Sequence, residues 1–203
     1  MPLQNRVTPF GDIVALVGRG LVMGNRGILH DEKQRIVRYS QVRRWLACRT
    51  EFRGRHRIIM RPHSYTELFF LDEATAFAAG HRPCAECRHA EYSRFRTLWS
   101  VCHGEPVSAD LIDRQLHHDR LAGRRTKRVY REDLANLPDG AYVVIDGRAW
   151  LVWRDRLFAW SAVGYAERRA RSAHREVDVL TPRSTVAVLA AGYRAAVHPS
   201  ANE

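Results

Sequence analysis

Lysine is almost missing from this chain: Lys33 and Lys127 are the only two among 33 basic residues, and arginine supplies the rest. Chemistry through a Schiff base needs an amine nucleophile. With only Lys33, Lys127 or an unblocked Pro2 to provide one, the sequence disfavours it. Long apolar runs are also lacking, and none approaches the roughly 20 residues that span a bilayer. The opening Met1–Arg6 has no apolar stretch of the secretory kind, so the expectation is a cytoplasmic protein without a membrane partner. Low-complexity tracts and flexible linkers are absent too. The hydrophobic share of 45% is too rich for a disordered chain. A single compact domain over residues 1–203 is expected, with enough chain to bury a core.

Acidic residues are the scarcer charge. Against 33 Lys and Arg stand 22 Asp and Glu, a formal net charge of +11. Arginine carries a planar, permanent charge that grips phosphates bidentately and stacks on bases. DNA is therefore the partner the composition points to. The run Arg124-Arg125-Thr126-Lys127-Arg128 reads as phosphate-binding, with Arg124, Arg125, Lys127 and Arg128 as the contacts. A second candidate is the glycine-rich stretch Gly18, Gly20, Gly24, Gly27, which carries Asn25 and Arg26 and ends near His30. It lacks the Lys-Ser/Thr of a Walker loop. Its glycines suit either a turn-rich lead-in to a sheet or close backbone approach to a ligand.

The pattern of elements is that of an α+β protein, a mostly antiparallel sheet with several helices. Ile13–Val17 reads as a strand, and residues 36–60 as β-structure around a turn at Gly54. Glu67–Leu71 suits a buried strand. Asp72 caps a helix running to Ala79 and stopped by Gly80. Further helices are expected over 84–100 and 108–121, the latter with Leu111, Ile112 and Leu116 as its core stripe. Residues 140–203 form a β-rich C-terminal part. There, Tyr142–Ile145 and Ala149–Trp153 flank Asp146-Gly147, the signature of a hairpin with a primed turn. Leu157–Trp160 and Val177–Leu180 add strands, and Ser184–Ala191 a helix.

Four cysteines occur: Cys48, Cys84, Cys87 and Cys102. In a cytosolic chain, a Cys-x2-Cys knuckle after a turn favours a metal over a disulfide. The segment Glu67–Cys87, with its apolar strand, Ala-rich helix and Ala-Gly-His-Arg-Pro-Cys-Ala-Glu-Cys ending, resembles the zinc-binding domain of the Ada DNA-repair family. The resemblance implies a structural zinc ion at Cys84 and Cys87 and contact with a DNA backbone. The family also places a Cys-x3-Cys pair upstream, one thiolate of which accepts methyl groups. This chain has Cys48 alone there, so Cys48 becomes the third ligand, without support for a methyl acceptor. The zinc-binding subregion is expected over about residues 45–102. A continuous helix from Cys87 would carry Cys102 about 22 Å away at about 1.5 Å per residue. The fourth ligand is open: that distance disfavours Cys102 unless the helix breaks early, and His56, His63 and His81 are the alternatives.

For chemistry, the helix from Ser108 sets Asp110, Asp113 and His117 on one face. A base-excising enzyme needs aromatic and polar groups around an extruded base, and a carboxylate for the sugar cation. Asp113, His117 and Asp31 are the candidate catalytic residues, and five tryptophans are available for stacking. The reading is a zinc-stabilised DNA-binding protein of DNA repair or modified-DNA processing, with DNA glycosylase chemistry favoured. A non-catalytic sensor of modified DNA and a metal-dependent nuclease are the alternatives.

Overall fold

The computed structural model describes residues 1–54, 58–104, 107–172 and 174–202. Among these residues the architecture is α+β, with two six-stranded sheets and four α-helices. The N-terminal sheet is built from β1 (Arg6–Val7), β2 (Ile13–Val14), β3 (Val22–Asn25), β4 (Leu46–Cys48), β5 (Leu68–Phe70) and β6 (Arg82–Pro83). Their order is β2-β1-β5-β3-β4-β6. Pairings are antiparallel except β1 with β5 and β4 with β6. Three helices follow from this half: α1 (Glu73–Ala78), α2 (His89–His103) and α3 (Ala109–Arg120). The C-terminal sheet holds β7 (Tyr130–Asp133), β8 (Tyr142–Ile145), β9 (Arg148–Trp153), β10 (Arg156–Ser161), β11 (Gly164–Ala170) and β12 (Glu176–Val179), followed by α4 (Arg183–Ala190). It is antiparallel throughout, in the order β11-β10-β9-β8-β12-β7.

Local signals account for several of these elements. Asp72 caps α1 by accepting the Thr75 amide at 2.8 Å, and Gly80 turns the chain away at φ +90°. Ser108 caps α3 by accepting from Leu111 N at 3.3 Å. On α3, Ile112 and Leu116 are buried while Leu111 stays exposed, which narrows the expected stripe. Asp146 (φ 53°) and Gly147 (φ 71°) form the primed turn that matches the twist of β8 and β9.

Two expectations need correction. Among the described residues of 36–60, one short strand forms, β4, together with an isolated bridge at Ile36. The segment has no sustained apolar alternation, and positive φ at Arg53 and Met60 interrupts extended backbone. The helix expected from Cys84 begins at His89 instead, because residues 84–88 turn tightly to present both thiols in one direction.

A buried polar joint ties the two halves. Asp72 accepts the Tyr165 hydroxyl at 2.6 Å and the His198 amide at 2.9 Å, and Tyr165 in turn meets the Tyr142 hydroxyl at 2.7 Å. Glu73 pairs with Arg88 at 2.7 Å and accepts the Tyr193 hydroxyl at 2.9 Å. Around the joint, Phe77, Phe95, Trp99, Leu151 and Tyr193 pack in one cluster. Each large apolar side chain fully buried here contributes about 1.5–3 kcal/mol. Arg88 starts α2, so this joint also fixes the cysteine knuckle just before it.

Candidate metal centre and adjoining cavity

β6 runs parallel to β4, with Leu46 opposite Arg82 and Ala47 opposite Pro83. Cys84 N then donates to Ala47 O at 3.0 Å, so the chain leaves β6 beside Cys48 at the end of β4. The turn through residues 84–87 brings the second knuckle thiol back. The sulfur atoms of Cys48, Cys84 and Cys87 all lie within 4.8 Å of one another, a group that can hold a metal ion. Cys48 and Cys84 are buried and Cys87 half-buried. Two short segments from separate parts of the chain thus deliver three soft donors to one point, as thiophilic metals require.

The electrostatics already favour a thiolate. Cys48 donates its proton toward Cys84, and the amides of Cys87 and Glu86 add to this against the cost of burial. Cys84 is lowered to about 5. Cys48 is pushed up because Cys84 takes the charge and because it is buried. Burial also raises Cys87, whose sulfur accepts the Arg49 amide at 3.4 Å.

All three cysteines line a cavity of about 710 Å³ between β3, β4, β5 and the loop that joins β4 to β5. Phe52, Tyr65 and Phe69 give it aromatic walls, and Asn25 and Arg49 give it donors. Glu51, Glu67 and Glu86 bring carboxylates. Glu67 is buried and held in place by Met60 N, which donates to Oε2 at 2.8 Å. The volume falls within the range of about 300–1,000 Å³ usual for ligand pockets.

A separate cluster of cations lies inside the protein. Trp45 is fully buried, with the guanidinium of Arg26 at 4.0 Å and that of Arg120 at 3.9 Å from its ring centroid. Arg26 donates to Gly11 O at 3.0 Å and Arg120 to Gly80 O at 3.0 Å. The Lys127 ammonium donates to Ala78 O. Burial, then the neighbouring Arg26, lowers Arg120 to about 9. Burial, then Arg26 and Arg120, lowers Lys127 to about 7. The indole faces offer these cations a negative quadrupole where no carboxylate is paired with Arg26 or Arg120 among the described residues.

The residues singled out from sequence fall in different places. Asp113 is buried and bound bidentately by Arg82, Nε to Oδ1 at 2.8 Å and Nη2 to Oδ2 at 2.7 Å. His117 is half-buried against Arg120 at 3.2 Å, and burial with that cation lowers its pKa. Asp31 closes a surface turn and pairs with Arg35 at 2.6 Å; the Arg35 hydrogen bond lowers its pKa. Asp113 and His117 line separate clefts. Asn25 faces the cysteine cavity, whereas Arg26 is wholly interior. Arg124 and Arg125 join Arg38, His117 and His118 around a basic cleft of about 660 Å³. Arg128 is exposed, its Nε donating to His118 O at 2.9 Å.

No family model, curated protein or solved structure matches this chain. No helix among the described residues is long and apolar enough to cross a membrane.

Sequence reasoning passed over Arg49, Phe52, Tyr65, Glu67 and Phe69. One signal was available, a glutamate heading an apolar strand. Such a charge must be either solvated or held in a polar site. The cavity itself depends on how the loop folds back over β3, which no local pattern encodes.

Proposed function

We propose that this protein is a zinc-stabilised DNA-binding protein that processes modified DNA, and that it takes a single base into the cavity beside Cys48, Cys84 and Cys87. The cavity carries the reading. Its aromatic walls suit stacking of an extruded base, Asn25 suits hydrogen bonding to a base edge, and Glu67 suits stabilisation of a sugar cation or positioning of water. The net charge of +11 and the cleft at Arg38, Arg124 and Arg125 supply the phosphate contacts that would hold the backbone.

Zinc is the metal the donor set fits, since three clustered thiolates are soft ligands. Its proposed role is to fix β4 and β6 against each other. Excision of the base is the favoured chemistry, with Glu67 taking the part first assigned to Asp113, His117 and Asp31. The sensor reading needs the same cavity without chemistry. The tether from Met60 N to Glu67 favours it to the extent that the tether occupies the carboxylate. The nuclease reading draws no support from a second donor cluster, since the cysteine group is the one formed among the described residues.

The test uses end-labelled duplex and single-stranded DNA with alkylated, deaminated or hypermodified bases, run on denaturing gels with and without hot alkali. Strand breaks that appear only after alkali establish base excision, and Glu67→Gln then lowers the rate by about 10²–10⁴-fold while DNA binding persists. Binding with intact DNA across the panel leaves the sensor. Breaks without alkali that EDTA abolishes establish the nuclease.

A further inference from the structure

We infer that a metal held by Cys48, Cys84 and Cys87 keeps its fourth coordination position turned into the cavity, where a heteroaromatic ring nitrogen of the bound ligand completes it. The three cysteines belong to the cavity wall. Within the described residues, no histidine or carboxylate joins them inside 4.8 Å. The side chains that could have closed the site are committed elsewhere. His81 is fully buried between Phe70 at 4.6 Å and Trp45 at 5.2 Å, and its Nε2 accepts from Arg26 at 3.4 Å. His63 is solvent-exposed and faces Glu32 at 3.8 Å. Cys102 donates to Ala187 O at 3.4 Å from the far end of α2. His56 lies outside the described residues.

Charge selects the class of donor. Three thiolates on a divalent ion leave one net negative charge, and a carboxylate or phosphate oxygen in the fourth position would add another. A neutral sp² nitrogen adds no charge and is a good ligand for zinc. The aromatic walls at Phe52, Tyr65 and Phe69 favour a flat ring carrying that nitrogen. An open position of this kind separates a metal that meets ligand from one that only braces the fold. The inference rests on the metal part of the proposed function and is independent of base excision.

The experiment replaces the native metal of the full chain with Co²⁺ and follows its visible d–d bands during titration with imidazole, then with adenosine and cytidine. The expected result is a saturable one-site spectral shift with imidazole, reproduced by at least one nucleoside. Cobalt that binds with thiolate charge-transfer bands but ignores all three probes overturns the open position and leaves the metal centre standing. Failure to bind cobalt overturns the metal reading as well. His56→Ala supplies the control: a shift seen in that variant and absent from the wild type means that His56 closes the site, which refutes the inference.

Discussion

Removing the negative charge from Asp113 will destabilise the protein, because that carboxylate is the counter-ion of a buried arginine. The side chains of Arg82 and Asp113 are 2% and 6% exposed, and both guanidinium–carboxylate contacts are shorter than 2.9 Å. Breaking one partner of such a pair costs about 3–5 kcal/mol, because the other charge is stranded without solvent. In Asp113→Asn the amide oxygen still accepts one hydrogen bond, which places the loss near 3 kcal/mol, the lower end of that range. At about 2–4 °C per kcal/mol for a chain of this size, the melting temperature falls by roughly 6–12 °C. Arg82 lies in β6 two residues before Cys84, so metal affinity weakens with it. The assay is thermal denaturation followed by far-UV circular dichroism. The paired replacement Arg82→Met with Asp113→Leu serves as control and loses less than Asp113→Asn, since no charge is left unpaired. A melting point for Asp113→Asn within about 2 °C of the wild type refutes the reasoning.

Three further outcomes follow from the same geometry. Cys84→Ser loses bound metal and melts lower, whereas Cys102→Ser, at an exposed position on α2, keeps full metal content by elemental analysis. Gly24→Ala places a Cβ 2.2 Å from Leu46 O and 2.9 Å from Phe70 Cε2, and urea titration will show a loss of at least about 1–3 kcal/mol from overpacking. Lys127, lowered from 10.5 to about 7 in the folded state, binds its proton more weakly there than in the unfolded chain. Its contribution therefore makes stability rise with pH between about 7 and 10, and the penalty is fully present below that window. Lys127→Met flattens this slope. Equal pH slopes for variant and wild type in melting experiments would show that the ammonium is solvated.

The elements legible in the sequence are those whose signals lie within a few residues. The Ser108 cap sets the start of α3, and Asp146-Gly147 sets the β8–β9 hairpin. Cys84 and Cys87 are linked by spacing, and Cys48 enters through the family resemblance. The parallel pairing of β4 with β6 had no local marker, so the thiol cluster could be proposed but its cavity could not. The glycine-rich stretch makes Arg26 a candidate DNA contact, yet its side chain is fully buried. Its interior position depends on Trp45, which lies 19 residues along the chain and offers the ring that accommodates the charge. The sequence offers Arg114 and Arg120 as partners for the carboxylates of α3, whereas the arginine that claims Asp113, Arg82, belongs to another element. In each case the deciding partner is distant in sequence.

A metal at the cysteine group would act on the folded chain, because the three thiols converge where β4 and β6 pair. Cys48 and Cys84 stand 36 residues apart, so an ion held by both would be a removable cross-link around the segment that forms much of the cavity wall. Its binding free energy would count toward folding, since the unfolded chain has no preformed site. Chelation would remove that stabilisation where ligand would dock. A ligand that meets the metal, as proposed above, would share that linkage, each raising the affinity of the other by the same factor.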